Sequence, residues 1–306
     1  MINLPMNDAP VQEVYLGSAK VRILIKREDL LHPDVPGNKL RKLYYNLQQA
    51  SRQQFNSLLT FGGAYSNHIA ATAAAGKLTG FRTIGVIRGE PNHNPTLNYA
   101  RKQGMHLHFI SREQYREKES EEFINSLQKK LGSFYLIPEG GTNKLAVQGC
   151  MEIVNDLKGT DYDYLCCCCG TGGTLAGLRA SAGEPINVLG FSVLKGFAEL
   201  DNQVTGWVEE ATGQACQPFT INHDFHFGGY AKASRELVDY INNFRQTHRV
   251  QLDPVYTGKM FYGVETLMNE SYFPEGSTLV LVHSGGLQGI AGFNERYGKK
   301  KGWMIT

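Results

Sequence analysis

The feature that most constrains the fold is a regular alternation of short apolar runs with longer amphipathic stretches along the chain. Strands separated by helices are typical of crossover units, which build mostly parallel sheets covered by helices on both faces. We therefore predict an α/β fold. Such folds bind their ligands beyond the carboxyl ends of the strands, so functional residues are expected in the strand-to-helix turns.

The predicted strands are short apolar runs, and the predicted helices are longer stretches with one apolar face. The strands cover residues 21–26, 57–61, 82–87, 106–110, 134–137, 164–169, 187–193 and 278–283. The helices cover residues 38–52, 67–79, 95–103, 112–131, 143–158, 173–182, 196–211, 230–246, 257–270 and 286–296. No internal repeat or long linker interrupts the pattern.

Charge and composition argue against several classes of protein. Lys and Arg total 31 and Asp and Glu total 29, and a net charge of +2 does not suit nucleic acid as the main partner. No window of about 18 apolar residues predicts a membrane span. The first residues contain acids and proline and lack the apolar core of a signal peptide, so we expect a cytoplasmic protein.

Four of the six cysteines are consecutive in the sequence. Neighbouring side chains on a strand point to opposite faces, so such a run is a poor framework for disulfides. It also lacks the spaced pairs of a zinc site, and we predict no metal. The expected role is that of small buried apolar side chains in a reduced protein. The six are Cys150, Cys166, Cys167, Cys168, Cys169 and Cys216.

The first turn that carries candidate functional residues is PGNKLRKL, residues 36–43. Asn38 is expected to cap the helix that follows, which places Lys39 in the first turn with Arg41 and Lys42 close behind. Each cation at a helix N-terminus is disfavoured by about 0.3–1 kcal/mol. Crowded cations and burial lower the pKa of an amine, as a lysine that forms a Schiff base requires. An exposed basic helix face is the alternative.

The second turn lies between a strand and an alanine-rich helix, in residues 59–78. Ser66 or Asn67 is expected to cap this helix, whose bare backbone amides suit an anion such as a carboxylate. Tyr65, Ser66, Asn67 and His68 put four hydrogen-bonding side chains into one loop. An ordinary capped helix after a tight glycine turn is the alternative.

The third turn joins the cysteine run to an apolar helix through a glycine-rich loop. Glycines let the backbone approach a ligand closely, and the helix N-terminus supplies amides and the positive end of a dipole, so this loop is predicted to bind phosphate. It is neither a Walker loop nor a complete G-x-G-x-x-G motif. The loop residues are Gly170, Thr171, Gly172, Gly173 and Thr174.

The fourth region combines residues 252–260 with residues 281–289. Tyr256 and Thr257 follow an Asp-Pro turn, and Ser284 follows an apolar strand and precedes two glycines. A small hydroxyl at the end of a strand can donate to, or accept from, a heteroaromatic nitrogen. Ordinary turn chemistry is the alternative.

Together these turns provide an amine, a phosphate site, a carboxylate site and a hydroxyl for a ring nitrogen, which are the needs of pyridoxal phosphate. The chain also carries, in order, KREDLL, GNKLRKL, TFGGAYSNH, NPTL, PEGGTNKLAVQG, GTGGT, LDPVYTGK and HSGGLQG. Across about residues 20–290 it resembles the family of D-cysteine desulfhydrases and 1-aminocyclopropane-1-carboxylate (ACC) deaminases. These enzymes belong to the tryptophan-synthase-β-like class, fold type II.

The resemblance implies a two-domain α/β enzyme with mostly parallel open sheets. The large cofactor-binding domain would comprise residues 1–43 and 152–306, and the small domain residues 44–151, with pyridoxal 5'-phosphate in the cleft between them. It also implies a homodimer that acts on a small amino acid, with no nucleic-acid or membrane partner.

The resemblance assigns a role to each candidate site residue. Lys39 would hold the cofactor and remove the Cα proton, and the loop of residues 170–174 would hold the phosphate. In the family, the asparagine of the motif contacts the pyridoxal ring oxygen, and its serine contacts the substrate carboxylate or acts near the reacting carbon. One tyrosine lies over the substrate, and a second tyrosine also belongs to the active site. The positions concerned are Ser66, Asn67 and His68 for the substrate carboxylate, Asn67 for the ring oxygen, and Tyr256 and Tyr230 for the tyrosines.

Two positions resemble the desulfhydrase branch rather than the deaminase branch. Deaminases have Glu after the tyrosine and Leu before the two glycines, whereas this chain has Thr257 and Ser284 as candidate partners of the ring nitrogen. A carboxylate keeps the ring nitrogen protonated and makes the ring a strong electron sink, whereas a neutral hydroxyl does so less well. The weaker sink suits elimination of a good leaving group. The expected reaction converts D-cysteine to pyruvate, ammonia and sulfide. Alternatives are ACC deamination, D-serine dehydration, cleavage of a sulfonated cysteine analogue, or a non-catalytic sensor of a phosphorylated ligand.

Overall fold

The computed structural model describes residues 2, 4–17 and 20–306. Met1 and Asn3, on which part of the signal-peptide expectation depends, lie outside the described residues. The strands are β1 (Val11–Val14), β2 (Arg22–Lys26), β3 (Ser57–Gly63), β4 (Arg82–Arg88), β5 (His106–Ile110), β6 (Tyr135–Ile137), β7 (Tyr164–Cys169), β8 (Asn187–Ser192), β9 (Thr220–Asn222) and β10 (Thr278–Val282).

The helices alternate with the strands along most of the chain. They are α1 (Asn38–Arg52), α2 (Asn67–Thr79), α3 (Pro95–Lys102), α4 (Arg112–Arg116), α5 (Glu121–Leu131), α6 (Lys144–Asn155), α7 (Gly173–Ser181), α8 (Leu200–Thr212), α9 (Arg235–His248), α10 (Thr257–Asn269), α11 (Gly289–Phe293) and α12 (Lys299–Lys301). Short 3-10 turns lie at Glu28–Leu30 and Glu139–Gly141. None of the described helices is long and apolar enough to span a lipid bilayer.

The strands form two separate sheets. The larger sheet has the order β1-β2-β10-β7-β8-β9, and the smaller has the order β5-β4-β3-β6. All pairs are parallel except β1 with β2, so the prediction of mostly parallel sheets is confirmed. The smaller sheet uses residues between 57 and 137, and the larger uses segments on both sides of it in the sequence.

Helices cover both faces of the larger sheet, and the cysteine run in β7 is therefore buried on both sides. Cys166 and Cys168 pack with α9 and α10 on one face, whereas Cys167 and Cys169 pack with α6, α7 and α8 on the other. All four side chains are buried, and every cysteine of the chain is free. A strand buried on both faces needs apolar side chains at every position, and the small thiols meet this need.

The first turn of α1 is fixed by a buried cluster of charges. Arg41 donates to both carboxylate oxygens of Glu28, at 2.9 and 3.0 Å, and to Asp156. Lys26 lies 3.5 Å from the Asp156 carboxylate and donates to the carbonyl of Ala9. Glu28 is fully buried, and its carbonyl accepts from the amide of Gly37 at the start of α1. The cluster therefore connects β2, α6 and the residues that precede Lys39.

Most predicted elements are present, and the main differences concern the sheet edges, two helices and one helix cap. The edge strands β1 and β9 were not predicted. The predicted helix 112–131 is two helices, because Ser120 caps a new helix at Glu121. The helix predicted over 286–296 is the short α11 followed by a π turn, Asn294–Gly298. The predicted cap was wrong: Gly37 occupies the cap position of α1, and the Asn38 side chain donates instead to Thr174 Oγ1 at 2.8 Å.

Removal of the buried Glu28 charge should destabilise the fold strongly. We expect Glu28→Gln to lower the free energy of unfolding by about 3–5 kcal/mol, because it leaves buried cations without their main carboxylate. Chemical denaturation monitored by circular dichroism measures the change. Glu13→Gln is the control, since Glu13 pairs with Arg22 at the surface. Equal losses in the two variants would contradict the importance of the buried cluster.

Candidate active site

A cavity of about 1340 Å³ lies at the carboxyl ends of the parallel strands of both sheets. Gly63 and Arg88 reach it from the small sheet, and Cys169 and Ser284 reach it from the large sheet. The sequence-predicted residues that line it are Lys39, Ser66, Asn67, His68, Gly170, Thr171, Gly172, Gly173, Thr174, Tyr230, Tyr256 and Ser284. Thr257 does not line the cavity.

Lys39 projects from the first turn of α1 into this cavity. Its amine donates a long hydrogen bond of 3.3 Å to the carbonyl of Gly140. Burial among protein atoms, followed by the charge of the neighbouring Lys42, lowers the pKa of Lys39 to about 7. A substantial fraction of the amine is therefore neutral near pH 7, and a neutral amine is the form that attacks an aldehyde.

A close backbone contact places Lys39 beside Ser284. Gly37 adopts a positive φ of 70°, and a Cβ at this position would lie 1.9 Å from the Ser284 carbonyl oxygen. The amide of Asn38 also donates to that oxygen, at 3.3 Å. Only glycine permits this approach. The start of α1 and the loop after β10 thus meet at the base of the cavity.

The glycine-rich loop forms a cup of backbone amides at the start of α7. Gly172 occupies the cap position with a φ of 75°, and no side chain caps the first turn, so its amides are free to bind an anion. A Cβ on Gly173 would lie 2.6 Å from Thr142 and 3.0 Å from the Lys42 amine. The cup is therefore shaped by the absence of side chains at these two positions.

Two groups at this cup were not identified from the sequence as ligand residues. The Lys42 amine donates to Thr142 Oγ1 at 2.9 Å, and the hydroxyls of Thr142 and Thr171 are 2.5 Å apart. Lys42 is almost fully buried, and burial lowers its pKa. In the sequence Lys42 resembles a residue of an exposed basic helix face. Only its burial in the folded protein distinguishes it from an exposed lysine.

The start of α2 carries the polar quartet of the second turn. Ser66 is the cap, and its hydroxyl accepts from the Ile69 amide at 3.3 Å. The Asn67 carbonyl oxygen accepts from Gln288, a residue of the loop after β10 that the sequence did not single out. The His68 ring is buried and makes a 2.8 Å hydrogen bond to Thr60. His68 can thus contribute its backbone to the cavity wall, while its ring packs in the interior.

Ser284 and Cys168 form a pair at the base of the cavity, with 3.2 Å between the hydroxyl oxygen and the sulfur. Burial is the main cause that raises the pKa of Cys168 to about 12, so its thiol is neutral. Thr257, the other predicted hydroxyl, is fully buried and donates to the Asp253 carboxylate at 2.8 Å. Ser284 is therefore the hydroxyl that faces the cavity, and Thr257 stabilises the turn beside it.

Two tyrosines cover the cavity on the side of the large sheet. The rings of Tyr230 and Tyr256 are 6.0 Å apart and meet edge to face. The Tyr256 ring packs over Gly170, where a Cβ would lie 3.3 Å from it. The Asp253 carboxylate accepts from the Tyr256 amide at 3.0 Å. Lys259 donates to the carbonyls of His226 and Gly229, both at 2.8 Å, and so holds the turn before Tyr230.

Two mostly parallel sheets meet at a cavity that contains a lysine with a lowered pKa, a cup of backbone amides and a hydroxyl at the end of a strand. The family described as pyridoxal-phosphate dependent enzymes matches residues 3–285. The chain belongs to this family. The cavity residues fit the cofactor, because a substantial fraction of the Lys39 amine is neutral near pH 7 and the amide cup of α7 suits a phosphate.

Several relatives are similar over most of their length. The bifunctional D-cysteine desulfhydrase/ACC deaminase of Arabidopsis thaliana is 30% identical over 87% of this chain and 72% of its own. The D-cysteine desulfhydrase of Klebsiella pneumoniae is 25% identical over 95% of this chain and 93% of its own. A crystal structure of an ACC deaminase homologue superposes with a TM-score of 0.85 at 27% identity, covering 98% of this chain and 94% of the other.

The covalent reaction of the apoprotein with pyridoxal phosphate should depend on pH with a midpoint near 7. The rate should rise with pH, because the reactive amine of Lys39 loses its proton at about pH 7 rather than near 10.5. Stopped-flow absorbance of cofactor uptake measures this midpoint. Lys42→Gln should shift the midpoint upward by removing a nearby positive charge, and Lys77→Gln, on the exposed end of α2, should not. A midpoint near 10 in the unsubstituted protein would refute the prediction.

The amide cup gives a second prediction. Gly173→Ala should raise the Kd for pyridoxal phosphate about tenfold or more, because the added methyl group collides with Thr142 and Lys42. Fluorescence titration of the apoprotein measures the Kd. Gly206→Ala in α8 is the matched control, since no atom lies within 4 Å of that Cβ. Unchanged affinity in Gly173→Ala would exclude this cup as the phosphate site.

Proposed function

We propose that the protein is a pyridoxal-phosphate dependent lyase that eliminates sulfide from D-cysteine or a related small amino acid. One D-cysteine and one water would give pyruvate, ammonia and hydrogen sulfide. The observation that carries the proposal is the neutral pair of Ser284 and Cys168 at the base of the cavity. A hydroxyl, unlike a carboxylate, does not hold a ring nitrogen protonated, which suits the departure of a good leaving group such as a thiolate.

When bound through Lys39, the cofactor would supply an electron-withdrawing ring that stabilises negative charge at the substrate Cα. Lys39 itself is suited to move the Cα proton. Its pKa of about 7 leaves a large part of the amine free to accept a proton at neutral pH. A base with a pKa near the working pH is the most effective general base.

The start of α2 is suited to bind and orient the substrate carboxylate. The Ser66 hydroxyl caps one amide, and the other first-turn amides and the positive end of the helix dipole are directed toward the cavity wall. The Asn67 carbonyl oxygen already accepts from Gln288, which leaves its amide group to donate, as contact with the pyridoxal ring oxygen requires.

Tyr256 is suited to orient the departing sulfur by donating a hydrogen bond to it. Burial, followed by the nearby Tyr230, raises its pKa well above the ordinary value, so its phenol keeps its proton. Tyr230 packs against it and closes the same side of the cavity. Water enters the balance only in the later hydrolysis that releases ammonia.

Deamination of ACC is the second candidate, because the relative in Bradyrhizobium sp. strain BTAi1 is named an ACC deaminase and the one in Arabidopsis has both activities in its name. The two functions differ in their need for an electron sink. Opening a cyclopropane ring requires a stronger sink than expelling a thiolate, and the neutral Ser284 favours the thiolate.

We also propose that the protein is a cytoplasmic homodimer with the domain boundaries stated above. Six free cysteines, five of them buried, support a reducing compartment. Separate sheets on either side of the cavity support two domains. The homodimer rests on the family resemblance.

A substrate panel tests the proposal. Loaded with pyridoxal phosphate, the protein should release pyruvate and sulfide from D-cysteine faster than from L-cysteine, and faster than it releases pyruvate from ACC. Lys39→Ala should abolish turnover, whereas Lys77→Ala should not change it. Tyr256→Phe should lower kcat about a hundredfold with little change in KM, because it removes only the hydrogen-bond donor to the departing sulfur.

Coupled pyruvate detection and a separate sulfide assay measure these rates. Faster release of pyruvate from ACC than from D-cysteine would replace the first function by the second. Full turnover by Lys39→Ala would exclude both functions as described.

A further inference from the structure

Arg88 is a cavity residue to which the proposed reaction gives no role. We infer that Arg88 recognises a negatively charged group at the far end of the substrate side chain. The preferred substrates would then be alanines whose β-sulfur substituent ends in a carboxylate or another oxyanion. This inference rests on the proposed function, since it specifies the substrate class for the same site.

The position of Arg88 connects it to the substrate loop. It is the last residue of β4, at the carboxyl end of a parallel strand, and it pairs in register with Gly63 of β3. A Cβ on Gly63 would lie 3.7 Å from a terminal guanidinium nitrogen of Arg88. Gly63 leads directly into Ser66 and the start of α2. The guanidinium therefore lies beside the loop that we propose to hold the substrate carboxylate.

The Arg88 side chain is held in place by an aromatic ring. Its guanidinium carbon lies 5.3 Å from the centre of the Tyr115 ring, within the range of a cation–π interaction. Tyr115 is buried, and its ring packs edge to face against Phe61 at 6.0 Å. Because this stacking restricts the guanidinium in advance, less freedom is lost when it binds an anion.

The guanidinium forms no ion pair with an Asp or Glu within the described residues. Glu139, which also lies near Tyr115, pairs with Lys118 at 3.6 Å. Burial raises the pKa of Tyr115, Glu139 raises it further and Arg88 lowers it, so both charges act on the same ring. Arg88 consequently has donors available for an external oxyanion.

The cavity has room for such a substituent. Its volume of about 1340 Å³ exceeds the roughly 300–1000 Å³ of common ligand sites. Arg88, at the end of β4, and Tyr230, in the turn before α9, line the same cavity. The cavity of the proposed reaction therefore includes Arg88.

S-carboxymethyl-D-cysteine is a suitable probe. The bond between Cβ and sulfur breaks, the thiolate takes a proton, and water releases ammonia. One molecule of substrate and one of water give pyruvate, ammonia and thioglycolate. Its neutral isostere, S-carbamoylmethyl-D-cysteine, reacts in the same way and differs in the charge at the end of the side chain.

The experiment compares kcat/KM for these two probes in the cofactor-loaded enzyme and in three variants. The unsubstituted enzyme should prefer the carboxylate. Arg88→Gln should lower the ratio of carboxylate to amide about ten- to a hundredfold, as expected for a lost charge-assisted hydrogen bond. Arg88→Lys should keep part of the preference. Arg82→Gln, at the opposite end of β4, should leave the ratio unchanged. An unaltered ratio in Arg88→Gln would overturn the inference.

A binding measurement separates this inference from the proposed function. D-glutamate and D-glutamine, which lack a good leaving group, are titrated while the absorbance of the bound cofactor is followed. The unsubstituted enzyme should bind D-glutamate more tightly, and Arg88→Gln should remove this difference. If no probe yields pyruvate, the elimination proposal fails, and the titration alone decides the role of Arg88. If pyruvate forms but the titration shows no preference for D-glutamate, only the Arg88 inference fails.

Discussion

The site depends on one backbone contact, between Gly37 and the carbonyl of Ser284. The contact leaves no space for a Cβ, and it brings the first turn of α1 against the loop that follows β10. Lys39 and Ser284 come from distant parts of the chain, yet both extend from this contact into the same cavity. The proposed attachment point, Lys39, and the proposed partner of the ring nitrogen, Ser284, are therefore positioned relative to each other by a main-chain contact.

Charge burial is the second constraint on the site. The Lys42 amine lies beside the amide cup of α7, and the Lys39 amine donates to the same carbonyl as Lys42, that of Gly140, so two cations lie near the positive end of the helix dipole. This arrangement is unfavourable for the apoprotein and favourable for a dianionic phosphate. Burial first, and then the charge of Lys42, lower the pKa of Lys39, which suits the covalent attachment and the proton transfer that we propose for its amine. The cluster of Glu28, Arg41 and Asp156 supplies the rigidity that keeps these cations in place.

Much of the fold was predictable, because its strands are apolar and its helices are amphipathic. Two long helices, α1 and α2, begin at Asn38 and Asn67, the residues at which the sequence predicts their first turns. The strands β1 and β9 were not predictable: Val11–Val14 includes two polar residues and Thr220–Asn222 has only three residues, so both depend on pairing with a neighbour at the sheet edge. The strand that contains the cysteine run, in contrast, was predictable from its own apolar residues.

The site was less completely predictable, because neither the burial of a polar side chain nor its contacts with residues distant in the sequence produce a local sequence pattern. Lys42, Gln288 and Arg88 resemble ordinary surface residues in the sequence, and only the fold brings them to the cavity. Thr257 differs from its neighbour Tyr256: Tyr256 lines the cavity, whereas the Thr257 hydroxyl donates to Asp253. A motif position thus identifies the turn correctly without identifying which side chain faces the ligand.

We propose that the ε-amine of Lys39 carries the cofactor. Treatment of the cofactor-loaded protein with borohydride, followed by proteolysis and mass spectrometry, identifies the modified lysine. We expect a reduced pyridoxyl-phosphate adduct on Lys39, with unmodified Lys42 and Lys259. An adduct on either of those lysines with Lys39 unmodified, or no adduct in a protein that has taken up the cofactor, would contradict it.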